Sequence, residues 1–141
     1  MNIPTVTHYD LIGGEAGVRR LVQRFYALMD SLPEAYDVRK LHPRDLSGAE
    51  GKLFMYLSGW LGGPQLYVEK FGHPRLRQRH LPFSIGAAER DQWMLCMRQA
   101  MDEQITDAAL RAELDKKLAD LADFMRNRPE FVPPAAAKHN G

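Results

Sequence analysis

Few side chains in this sequence combine a soft ligand atom with surroundings that would tune it, and His80 is the most informative of them. It lies in the run Gly72-His73-Pro74-Arg75-Leu76-Arg77-Gln78-Arg79-His80-Leu81-Pro82-Phe83. Pro74 suits the first position of a short helix, where a missing N–H costs nothing. Pro82 pushes Leu81 away from helical geometry, so the helix ends at or just before it. His80 then sits in a last turn whose carbonyls lack backbone partners. One ring nitrogen can donate to such a carbonyl, leaving the other as a lone-pair ligand for a transition metal. Arg75, Arg77 and Arg79 surround the site. A metal centre ringed by cations suits a ligand group that brings its own negative charge.

The other candidates are weaker. His73 stands seven residues before His80, a helical spacing, but Pro74 makes it a cap outside the helix. His8 and His139 fall in terminal segments. No cysteine or carboxylate pair has zinc-site spacing, and no phosphate-binding glycine loop or nucleophile motif is present. Tyr26, His42 and Trp93 each join an aromatic body to a hydrogen-bonding group. They fit two readings: core aromatics whose donors bond to backbone, or groups converging on one pocket. Spacing alone leaves both open.

The elements that must position these residues read as helices throughout. Gly13-Gly14 separates a short leading segment from a helix over 15–31, with Val18, Leu21, Val22, Phe25 and Met29 at helical spacing. A short helix or turn over 34–40 leads to His42, which is extended because Pro43 follows it. A helix over 45–61 carries Leu46, Ala49, Leu53, Tyr56, Leu57 and Trp60 on one face, and Gly62-Gly63-Pro64 stops it. One helical turn is expected over 65–71. A helix over 87–103 places Trp93, Met97, Ala100 and Met101 together, with Cys96 beside them. The last, over 107–127, repeats leucine at 110, 114, 118 and 121 and is capped by Thr106 or Asp107. Residues 1–7 read as a loose lead-in and 129–141 as a disordered tail, so a single domain is expected over 1–128.

Composition excludes several classes. Lys plus Arg (19) and Asp plus Glu (18) nearly cancel, so no basic field marks a nucleic-acid or anionic-membrane partner. No apolar run approaches the roughly 20 residues of a membrane span, and no signal-peptide pattern opens the chain. Cys96, the single cysteine, excludes an intrachain disulfide and suits a reducing, cytoplasmic setting. The helix faces show no obvious spare apolar stripe, so a monomer or weak homodimer is expected.

From about Tyr9 to about Asn127 the sequence resembles the group II truncated haemoglobins. Trp60-Leu61-Gly62-Gly63-Pro64, Tyr67, the Gly72–Phe83 run, Arg90-Asp91-Gln92-Trp93 and Cys96-Met97 carry the resemblance, with Gly13-Gly14 and Arg24-Phe25-Tyr26 upstream. It implies an all-α fold: a truncated globin, a two-over-two helical sandwich around haem b. It also implies that His80 is the proximal iron ligand and that Tyr26 and Trp93 are distal hydrogen-bond donors. By the same resemblance Ala49 takes the place where many globins carry a distal histidine. Lys52 becomes a propionate partner, Leu53 a pocket wall, and Tyr67 and Arg79 further haem contacts. His42 departs from the family, which usually places phenylalanine or tyrosine there. Histidine keeps a donor and adds a titratable group, with Tyr36 as the alternative if the loop register differs.

The implied ligands are oxygen, nitric oxide, carbon monoxide or peroxide, with a separate reductase as electron donor. Two or three donors around a bound ligand would slow its release by orders of magnitude, since a hydrogen bond to a charged group is worth ~1.5–3 kcal/mol. That favours redox chemistry, as a dioxygenase or peroxidase, over bulk oxygen transport. An oxygen store or sensor is the second reading, and a haem-free helical interaction module the third.

Overall fold

In the computed structural model, which describes residues 6–128, the chain folds as the 3.6-residue periodicity dictates. Helix α1 (His8–Leu11) opens with a reciprocal capping box in which Thr7 and Asp10 satisfy each other's backbone N–H. Gly13, at φ 106°, turns the chain into α2 (Gly14–Ser31). Val18, Leu21, Val22, Phe25 and Met29 are all buried along α2. Each large apolar side chain so covered contributes ~1.5–3 kcal/mol. A short 3-10 turn (Pro33–Ala35) leads into α3 (Tyr36–Arg39). Then follow α4 (Ser47–Trp60), α5 (Leu66–Phe71), α6 (Leu76–His80), α7 (Ala87–Gln104) and α8 (Ala108–Phe124). No strand occurs among the described residues.

The helices form two pairs, α2 with α4 and α7 with α8, and the pairs are joined where α2 lies along α7. Asp107, one of the two expected caps, holds the start of α8 by accepting from the N–H groups of Ala109 (2.9 Å) and Leu110 (3.2 Å). The chain reversal after α4 is tightly built. The buried Ser58 hydroxyl donates to the Pro64 carbonyl (2.7 Å). Gly63 lets Tyr9 lie against the turn: a Cβ there would stand 2.4 Å from the Tyr9 ring.

Three details differ from the sequence expectation. Helix α4 buries Phe54, Leu57 and Ser58 most deeply, while Ala49, Leu53, Tyr56 and Trp60 stay half-covered. The second set packs against the core cluster from its edge. Helix α8 ends at Phe124 rather than 127, which frees Asn127 to turn back over the chain. Helix α6 begins at Leu76, not Pro74, because Arg75 adopts a left-handed conformation (φ 48°) that no helix can contain. The lead-in over 1–5 and the tail over 129–141 lie outside the described residues.

Candidate functional site

Arg75 is the only non-glycine residue with positive φ among those described. Its N–H donates to His73 Nδ1 (3.1 Å), which places His73 outside the helix. Its carbonyl accepts from the Arg79 N–H and so starts α6. At the other end of this single turn, His80 Nδ1 lies 2.6 Å from the Leu76 carbonyl oxygen. A carbonyl only accepts, so the hydrogen is on Nδ1 and Nε2 carries a lone pair. The ring is half-buried and α6 buries no residue.

A chain of aromatic rings links α2, α7 and the loop after α3. Phe25 is fully buried on α2. It meets Tyr26 edge-on at 4.8 Å between centroids, and Trp93 of α7 at 5.0 Å. Tyr26 in turn meets His42 at 5.8 Å. Of the three polar aromatics singled out in the sequence, Tyr26 and Trp93 meet the Phe25 ring, and His42 joins them through Tyr26. Burial, reinforced by the charge of Glu50, raises the Tyr26 pKa, so its hydroxyl stays a donor at any physiological pH. Tyr36, the alternative to His42, points outward, 67% exposed, with the Lys40 ammonium over its ring.

His42 is held in the extended loop after α3. Its Nδ1–H donates to the Val38 carbonyl (2.9 Å), so the neutral ring presents a lone pair at Nε2. The ring's one neutral-state hydrogen is thus spent on backbone. Burial lowers the His42 pKa; the bond to Val38 opposes this, and the charges of Arg39 and His80 add to it. The surrounding loop is fixed by Arg39, whose guanidinium donates to the carbonyls of Pro43 (2.9 Å) and Arg44 (2.9 Å).

The remaining predicted residues lie on α4, α5 and α6. Ala49 and Leu53 lie on the half-covered face of α4. Tyr67 is buried and stacks near Tyr56 and Phe71. Lys52 is exposed, with its ammonium 5.8 Å from the Phe71 ring. Arg79 is exposed too. It donates through Nε to the Pro74 carbonyl (2.8 Å) and lies over Tyr67. Cys96 is fully buried and its thiol is pushed up to about 11 by burial, so it is inert core.

Two residues escaped the sequence reading. Gln92 accepts from the Val38 N–H (3.0 Å) and donates to Asp37 (2.9 Å), pinning α3, and hence His42's loop, to α7 one residue before Trp93. Asn127 reaches from beyond α8 to the carbonyls of His80 and Phe83. Nothing local signals either role. Among the described residues no cluster of three or more His, Cys, Asp or Glu could hold a bare metal ion. A metal held through His80 needs its other ligands from a group it arrives in. Haem fits that requirement: a free imidazole nitrogen, a half-covered apolar face on α4, and cationic side chains at Lys52 and Arg79.

The fold and site define a haem-binding globin of the shortened type. The sequence profile described as bacterial-like globin matches residues 7–127. The group 2 truncated haemoglobin YjbI of Bacillus subtilis is 38% identical over 122 residues, covering 86% of this chain and 89% of that protein. The group II 2-on-2 haemoglobin of Agrobacterium tumefaciens superposes with a TM-score of 0.87 at 55% identity, covering 92% of this chain and all of that one. A cold-adapted truncated haemoglobin from Pseudoalteromonas haloplanktis superposes with a TM-score of 0.85 at 43% identity, covering 86% and 98%. The chain belongs to the bacterial-like globins, in the group II truncated haemoglobin branch. Membership implies haem-based binding of small gaseous ligands such as oxygen. No helix among the described residues is long and apolar enough to cross a membrane.

Proposed function

We propose that the chain holds haem b through Nε2 of His80 and carries out redox chemistry on the bound ligand, either nitric oxide dioxygenation or peroxide reduction, rather than bulk oxygen transport. The observation that supports this is the Trp93–Phe25–Tyr26–His42 ring chain, which gathers three polar groups from α2, α7 and the loop after α3. Haem, when bound, would supply an iron able to take up oxygen, nitric oxide, carbon monoxide or peroxide. Tyr26 and Trp93 donate hydrogen bonds to charge that develops on the ligand. Neutral His42 offers its Nε2 lone pair, which suits accepting a proton from a protic ligand such as peroxide. Lys52 and Arg79 pair with the propionates, while Ala49, Leu53 and Tyr67 form walls. A cytoplasmic reductase supplies electrons.

Each charge-assisted hydrogen bond is worth ~1.5–3 kcal/mol, roughly ten- to hundredfold in ligand retention. Tyr26→Phe and Trp93→Phe should each speed oxygen dissociation by about that factor. Rates equal to the parent would sink the proposal. One observation favours the second reading, an oxygen store or sensor. With the His42 hydrogen committed to Val38, only two neutral donors remain. Rapid reversible oxygenation without peroxidase turnover would decide for it.

A further inference from the structure

Helix α6 buries none of its residues, so something other than core packing must hold its histidine in place. Asn127 is positioned to do this. Its Nδ2 donates one hydrogen to the His80 carbonyl (3.0 Å) and the other to the Phe83 carbonyl (2.7 Å). Its Oδ1 accepts from the Ile85 N–H (2.9 Å). The backbone continues the grip, since the N–H groups of Asn127 and Arg128 both donate to the Ile85 carbonyl. The amide orientation follows from its partners. Flipped, its oxygen would face two carbonyl oxygens and its NH2 would face an N–H. Three of the four hydrogen bonds an asparagine can make are thus spent on the six-residue stretch from His80 to Ile85.

We infer that Asn127 is a positioning residue for the iron ligand, a brace by which the end of α8 sets the height and tilt of the His80 ring. The inference rests on His80 being that ligand. Partners beyond a metal's first ligands commonly change its affinity by about 10–100-fold when removed, and a carbonyl on the ligand's own backbone is a direct handle. The same end of α8 has a second tie that does not touch the loop. Asp123 accepts from Arg90 Nη1 (2.6 Å) on α7 and from Arg126 Nη1 (3.2 Å).

The test uses haem-loaded full-length protein. Asn127→Asp keeps the acceptor for Ile85 but turns both donors into an oxygen facing carbonyls. It should displace the iron–imidazole stretching band in the resonance Raman spectrum of the ferrous, ligand-free protein. It should also speed haem transfer to an apoglobin acceptor by about 10–100-fold. Asp123→Asn should leave both at parent values. A band and transfer rate unchanged in Asn127→Asp overturn the inference. So does an Asp123→Asn variant that moves both as far, because general loosening would then suffice. If Asn127→Asp does not fold, Asn127→Ala removes the same bonds without adding charge and is read the same way. A parent protein whose iron–imidazole band survives His80→Ala overturns the assignment of His80, and the inference falls with it. A band lost in His80→Ala but unmoved in Asn127→Asp overturns the inference alone.

Discussion

Both key imidazoles are fixed by the same device, a backbone carbonyl four residues earlier that takes the Nδ1 hydrogen: Leu76 for His80 and Val38 for His42. The device leaves a lone pair at Nε2 on both rings. On His80 it exposes a lone pair suited to iron. On His42 it removes the donor that the sequence led one to expect and leaves an acceptor. A second donor at His42 requires protonation, and burial lowers its pKa below the usual imidazole value of about 6.5. With a depressed folded pKa, His42 stays neutral and costs nothing above about pH 6.5. Stability falls as pH drops below that value, because the unfolded chain takes up the proton first. Ligand dissociation should therefore be flat from about pH 7 upward and slow towards pH 5 as His42 becomes a donor. Stopped-flow rates on the parent and on His42→Phe check this, the variant losing the acid limb. Tyr26, Trp93 and His42 were legible as candidates because polar aromatics on apolar faces are conspicuous. Gln92 and Asn127 were not, because their partners lie 42 to 55 residues away in sequence.

Among the helices, α2, α4, α7 and α8 were legible from apolar spacing closed by glycine and proline stops. Their ends shifted by a few residues, as fraying ends do. The start of α6 was misread for a definite reason. Pro74 is a sound opening residue, but the left-handed Arg75 intervenes, and no side-chain rule singles out an arginine for that conformation. Of the apolar face expected on α4, Leu57 is buried while Leu46, Ala49, Leu53, Tyr56 and Trp60 remain half-covered. Periodicity registers an apolar face without saying whether protein or cofactor covers it. The junction of α1 and α2 is closely packed. A Cβ on Gly17 would come within 1.9 Å of the Ile12 carbonyl oxygen, a backbone atom that cannot swing aside. Gly17→Ala should cost about 1–3 kcal/mol, the usual range for overpacking. It should lower the urea midpoint with little change in slope. An unshifted midpoint would mean that the turn relaxes freely.

At the scale of the whole molecule, two helix pairs meet along α2 and α7, where the Phe25 ring meets Trp93. The fold is thus anchored away from α6 and from the outer face of α4. Haem should stabilise it by mass action. At a free concentration a hundred times its dissociation constant, the gain is about 2.7 kcal/mol, roughly 10 °C in the thermal midpoint for a domain of this size. Calorimetry of the protein with and without haem measures this, and equal midpoints would contradict binding to the folded form. The bare surface of α6 carries a kinetic signature as well. A turn with no fully buried residue opens at low cost, so amide protons over 76–80 should trade for deuterium long before those of α2 or α7. The entry of the prosthetic group would be timed by the slowing of that exchange, making this one turn the clock for assembly of the holoprotein.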